Sequence, residues 1–159
     1  LCKLLLGEKW EYSAPIHALN RMGVAEGELV GGNLSLLFAL QGSKSDLNTK
    51  GKILFLEDLD EYLYHIDRMM ISLKRSGKLS DLAGLVVGGM TEMKDNTIPF
   101  GMSPEEIIKD AVKEYNYPVC FHFPAGHIDN NMALVLGSKV KLEVTTTYQT
   151  LCSLQGSQI

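Results

Sequence analysis

Two short runs of apolar residues flank an amphipathic stripe, and this arrangement constrains the chain most. Residues 52–57 read KILFLE and residues 83–88 read AGLVVG. Each run is too short for a helix of ordinary length and is rich in β-branched or aromatic side chains, so each predicts a strand buried on both faces. Between them, Leu59, Tyr62, Leu63, Ile66, Met69, Met70 and Leu73 recur at helical spacing. The spacing predicts a helix that starts at Asp58 and is closed by Gly77. A strand, a helix and a second strand in this order define a right-handed crossover between parallel strands.

The downstream sequence extends the pattern. Ser103-Pro104-Glu105-Glu106 carries a capping serine, a proline at the first helical position and a glutamate placed for a capping box. It predicts a helix to about Tyr115. Residues 118–123 read as a third strand, followed by short strands over 132–136 and 139–144 and a last one near Leu151. Upstream, four glycines fall within residues 23–32, which predicts tight turns or close backbone approach. Asn33 then serves as N-cap of a short helix from Leu34 to Leu40. The reading is an α/β domain with a mostly parallel central sheet or partial barrel and crossover helices. Residues 1–22 read as linker and residues 23–159 as the domain. The opening Leu1-Cys2-Lys3, without methionine, reads as the cut end of a longer protein.

Composition excludes several functions. A net charge of −4 with scattered lysines and arginines gives no nucleic-acid footprint. The one basic cluster, Lys74, Arg75 and Lys78, suits a helix C-terminus. No apolar run is long enough to span a membrane. Cys2, Cys120 and Cys152 are widely spaced and odd in number, so they read as reduced thiols of a cytoplasmic protein, with Cys120 in the core.

Glu57 closes the first strand, Gly88-Gly89 the second, and Gly126-His127 follows the third. In a parallel sheet these points share the carboxyl edge, where α/β proteins build their sites. Glu57 and His127 can therefore be neighbours, and a histidine base needs a carboxylate to fix its tautomer. Plainer duties remain open for each: an acid near a helix N-terminus for Glu57, a turn residue for His127. His17, His65 and His122 read as loop, solvated helix and strand residues. A zinc site on His122 and His127 lacks a third ligand at sensible spacing, so no metal or other cofactor is expected. No serine stands on a nucleophile elbow: Ser13, Ser35 and Ser43 all lie in other settings.

Five ordered segments carry a resemblance. They are AEGELVGGNLSLL over residues 25–37, ILFLED over 53–58 with Glu61, YHIDRMM over 64–70, GLVVGGM over 84–90, and FPAGH over 123–127 with Asn131. Together they resemble the C-terminal domain of the LD-carboxypeptidases, the S66 peptidase family, across roughly residues 21–144. The resemblance implies a swivelling β/β/α-type fold. It implies a serine hydrolase in which Glu57 and His127 belong to a Ser-His-Glu triad whose serine lies in a flavodoxin-like N-terminal domain absent from this chain. It implies a murein tetrapeptide as substrate, a homodimer in full-length form, and Gly32 and Asn33 as substrate-binding or bracing residues. An immunity-type amidase acting on peptide-nucleotide antibiotics, or a non-catalytic binding domain of the same fold, would share these motifs. Val135 departs from the family, which usually has proline there.

Overall fold

The computed structural model describes residue 4 and residues 6–154; Cys2 lies outside them. Seven strands form one sheet: β1 (Glu11–Pro15), β2 (Gly23–Asn33), β3 (Ile53–Leu59), β4 (Gly84–Thr91), β5 (Val119–Cys120), β6 (Lys139–Val144) and β7 (Tyr148–Ser153). Their spatial order is β1-β7-β6-β2-β3-β4-β5. Strands β2 to β5 run parallel, while β1, β7 and β6 pair antiparallel. The long β2 joins the two halves. Its first part, Gly23 to Glu28, pairs antiparallel with β6, and its last part, Leu29 to Asn33, pairs parallel with β3. Three helices are described: α1 (Leu34–Leu40), α2 (Leu63–Arg75) and α3 (Pro104–Ala111).

Side-chain alternation splits the core into two layers. On β3, Leu54 and Leu56 pack with Ile66, Met70 and Ile108 on the helical side. Ile53 and Phe55 pack with Cys120, Val140, Leu142 and Leu151 on the inner side of the curled sheet. Both layers are apolar along β3 from Ile53 to Leu56 and along β4 from Leu85 to Val87, which is why these strands read as uninterrupted hydrophobic runs. The starts of α1 and α3 follow their sequence signals, although α3 stops at Ala111, short of the expected Tyr115. Asn33 caps α1 through its side chain, and Ser103 with Glu106 forms the reciprocal capping box of α3.

The structure also revises four other local expectations. Strand β3 continues through Asp58 and Leu59, which pair with Met90 and Thr91, so α2 begins only at Leu63. Asp60, in the left-handed region at φ +63°, turns the chain between them. Within the segment expected to be linker, residues 11–15 form an edge strand on β7, and Trp10 beside it is buried. The third apolar run yields only a two-residue strand, because His122 adopts a φ of +54° and breaks the extended backbone. Residues 132–136 form no strand. Ala133, Leu134 and Val135 pack against the inner core as an irregular segment.

Segment 17–21 seals the free edge of β5. Arg21 and Val119 exchange both backbone hydrogen bonds. Beside them three amides close a ring: the Phe121 N–H donates to Asn20 Oδ1 at 2.8 Å, Asn20 Nδ2 to Gln149 Oε1 at 2.7 Å, and Gln149 Nε2 to the Phe121 carbonyl at 2.8 Å. Gln149, on β7, is fully buried. The two halves of the curled sheet are thus tied by a polar ring whose central member, Gln149, is withdrawn from water. Gln149→Leu leaves the Phe121 carbonyl and the Asn20 amide without this partner. Urea denaturation is expected to show a loss of roughly 1–3 kcal/mol.

Candidate active site

Glu57 is the residue at which the β3–β4 ladder changes register. Leu56 pairs with Val87, but Asp58 pairs with Met90, so Gly88 and Gly89 together oppose Glu57. This is a β-bulge, a device that commonly re-aims a side chain beside a site. The bulge also seats the loop that follows β5. The Gly89 N–H donates to the Ala125 carbonyl at 2.9 Å. A Cβ on Gly88 would stand 2.3 Å from that carbonyl oxygen, and one on Gly89 2.6 Å from Ile128 Cγ2. A side chain at Gly88 would collide with backbone and one at Gly89 would have to displace Ile128, so the glycine pair lets residues 125–128 descend onto the sheet edge.

The descent brings His127 to Glu57. His127 Nδ1 lies 2.6 Å from Glu57 Oε2, and the His127 backbone N–H donates to the same oxygen at 3.2 Å. With Glu57 ionised, Nδ1 carries the proton and Nε2 presents its lone pair. The Glu57 side chain is only 7% exposed whereas that of His127 is 53% exposed. The carboxylate is thus fixed inside and the imidazole faces solvent. Gly126 makes the approach possible. Its φ is +105°, and a Cβ there would lie 2.7 Å from Glu57 Cβ and 2.9 Å from Oε2. The hydrogen bond to Glu57 and the charge of that carboxylate raise the His127 pKa above its ordinary value. Partial burial opposes the rise, and the Asp58 charge adds to it.

Asp58, on the opposite face of β3, is buried beneath α1. It accepts from Asn33 Nδ2 at 2.8 Å, from the Ser35 N–H at 3.0 Å and from the Leu59 N–H at 2.9 Å. Burial pushes its carboxyl up, and these hydrogen bonds oppose the shift. Asn33 is engaged on both sides, since its Oδ1 also accepts from Ser35 Oγ and the Leu36 N–H. It sits directly across from Glu57 in the parallel ladder. Gly32, at φ +144°, has open space where a Cβ would project. Gly32 and Asn33 therefore border the Glu57 edge, with Asn33 bracing the β2–α1 turn.

The remaining histidines form local pairs. His65 bonds Glu61 one helical turn away at 3.0 Å. His122 bonds Glu105 at 2.9 Å and lies against His17 with ring centroids 4.4 Å apart and the planes tilted at 45°. Burial and the neighbouring His122 lower the His17 pKa. Among the described residues no group of three or more histidine, cysteine or acidic side chains is arranged to hold a metal. No helix there is long and apolar enough to cross a membrane. Burial raises the Cys120 thiol to about 12, which leaves it inert as a nucleophile. Sequence reasoning missed the Gly88-Gly89 bulge and the bracing role of Asp58. The glycine doublet was visible, but its register shift against Glu57 was not.

A carboxylate-oriented histidine at the carboxyl edge of a parallel sheet is the acid–base element of many α/β hydrolases. The model of the LD-carboxypeptidase C-terminal domain matches residues 26–142, and the chain belongs to this family. A probable murein peptide carboxypeptidase of Bacillus subtilis is 40% identical over 124 residues, covering 76% of this chain and 38% of that protein. The murein tetrapeptide carboxypeptidase of Pseudomonas aeruginosa is 30% identical over 119 residues, covering 74% and 38%. The crystal structure of a muramoyltetrapeptide carboxypeptidase from Oxalobacter formigenes superposes with a TM-score of 0.80 at 28% identity, over 90% of this chain and 50% of that one. The chain thus spans well under half the length of these two curated relatives.

Glu57→Gln is expected to bring the His127 imidazole down toward 6.5 in an NMR titration. The sign follows from the raised folded value. The stability contributed by the charged pair is fully present below the unfolded histidine pKa. It fades as pH rises through the elevated folded pKa, when the ring loses its charge.

Proposed function

We propose that this chain supplies the glutamate and histidine of a Ser-His-Glu triad in an LD-carboxypeptidase acting on murein peptides, with the serine contributed by a segment outside these 159 residues. The 2.6 Å contact between His127 Nδ1 and Glu57 Oε2 carries the reading, and family membership supports it. His127 Nε2 would accept the serine proton as the hydroxyl attacks the amide carbonyl and return it to the leaving amine. A water would then be deprotonated at the same nitrogen to hydrolyse the acyl-enzyme. Glu57 would hold the ring in the Nδ1–H tautomer and stabilise the imidazolium. The substrate would be a tetrapeptide whose terminal D-amino acid is released from an L-centre. The elevated imidazole pKa suits a base that alternates between neutral and charged forms near neutral pH. A cytoplasmic location and a homodimeric complete protein belong to the same reading.

The 159-residue chain alone is expected to leave a murein tetrapeptide with terminal D-Ala uncleaved; turnover by it would overturn the divided site. In a protein joining this chain to a serine-bearing domain, His127→Ala is expected to lower kcat by roughly a thousandfold or more with the circular dichroism spectrum unchanged. Retained activity would remove His127 from the mechanism. Cleavage of peptide-nucleotide conjugates in place of the tetrapeptide would assign the immunity-type activity.

A further inference from the structure

His127 holds a demanding geometry on undemanding backbone. It lies in a loop with neither helix nor strand, and more than half of its side chain faces solvent. Packing therefore cannot fix the ring by itself. Its direction follows from the backbone around it, where the His127 N–H is held by Glu57 Oε2 and two more side chains grip the loop on either side. Thr91 Oγ1 donates to the His127 carbonyl at 2.8 Å. Asn131 Oδ1 accepts from the Gly126 N–H at 3.1 Å. Thr91 is the last residue of β4, just past the bulge, and its backbone pairs with Leu59 of β3. It is thus anchored directly to β3, the strand that carries Glu57.

We propose that Thr91, with Asn131 gripping the Ala125–Gly126 peptide, is a positioning residue that aligns His127 on Glu57. Thr91 touches neither the imidazole nor the carboxylate. It fixes the peptide from which the ring projects, as the supporting partners of a site commonly do. Without its hydroxyl, the His127 carbonyl is free to turn toward water, and the loop swings about Gly126, a residue in a backbone conformation that favours glycine. The consequence for catalysis rests on the proposed role of His127 as base. The geometric claim rests on the hydrogen bonds alone.

The test is an NMR titration of the histidines in the 159-residue chain. The charged groups acting on the His127 ring are Glu57 and Asp58, both on β3. Neither is altered by Thr91→Val, which keeps the β-branched shape and deletes the hydroxyl. T91V is expected to lower the His127 pKa by about half a unit or more, while His17, His65 and His122 titrate as before. Thr91→Ser is expected to restore the parent value. An unchanged His127 titration in T91V would overturn the proposal. If T91V does not fold, Asn131→Ala is titrated in the same way, and an unchanged His127 there overturns it equally. In the protein joined to its serine-bearing domain, T91V is expected to reduce kcat roughly ten- to a hundredfold with KM unchanged. Absence of turnover in the parent would remove the carboxypeptidase reading and leave the titration to decide the positioning role.

Discussion

The register shift opposite Glu57 is the constraint on which this site depends. A regular parallel ladder would have met Glu57 with one residue of β4. The bulge meets it with two glycines, and their bare backbone admits the loop that bears His127. Gly88, Gly89 and Gly126 each leave space where a Cβ would press on the Ala125 carbonyl, on Ile128 and on Glu57 respectively. Two make room for the loop on the sheet, and the third makes room for the carboxylate against the loop. The 2.6 Å contact between imidazole and carboxylate is the product of these vacated positions.

β3 distributes its two acids by simple alternation. Glu57 continues the inner face of Ile53 and Phe55, and Asp58 continues the helical face of Leu54 and Leu56. Adjacent carboxylates thus take opposite tasks. Glu57 engages the histidine loop, while Asp58 secures the turn into α1 through Asn33 and Ser35. The strand must extend past Asp58 for this to work, and its pairing with Met90 and Thr91 overrides the helical periodicity that begins nearby.

Parts of this arrangement were legible in the linear sequence. The buried strands at β3 and β4, the stripe of α2 and the capping box of α3 rest on local patterns that survive in the fold. A meeting of Glu57 with His127 was readable as possible, because both were expected just at or past the ends of parallel strands, although β3 runs on to Leu59 and β5 ends at Cys120. The ordered segments from Ala25 to His127 indicated the family that the comparison bears out. Less legible were β1, whose residues alternate too weakly to announce a strand, and the break at His122, where tertiary contacts with Glu105 and His17 accompany a left-handed backbone.

The sequence by itself determined the crossover unit and the caps that start α1 and α3, and it made a shared sheet edge for Glu57 and His127 possible. These depend on side-chain periodicity and on hydrogen bonds between near neighbours. The tertiary structure decided the register shift at Gly88-Gly89, the division of labour between Glu57 and Asp58, and the grip of Thr91 and Asn131 on the histidine loop. Those features join residues far apart in the chain, and their geometry exists only once the strands are paired.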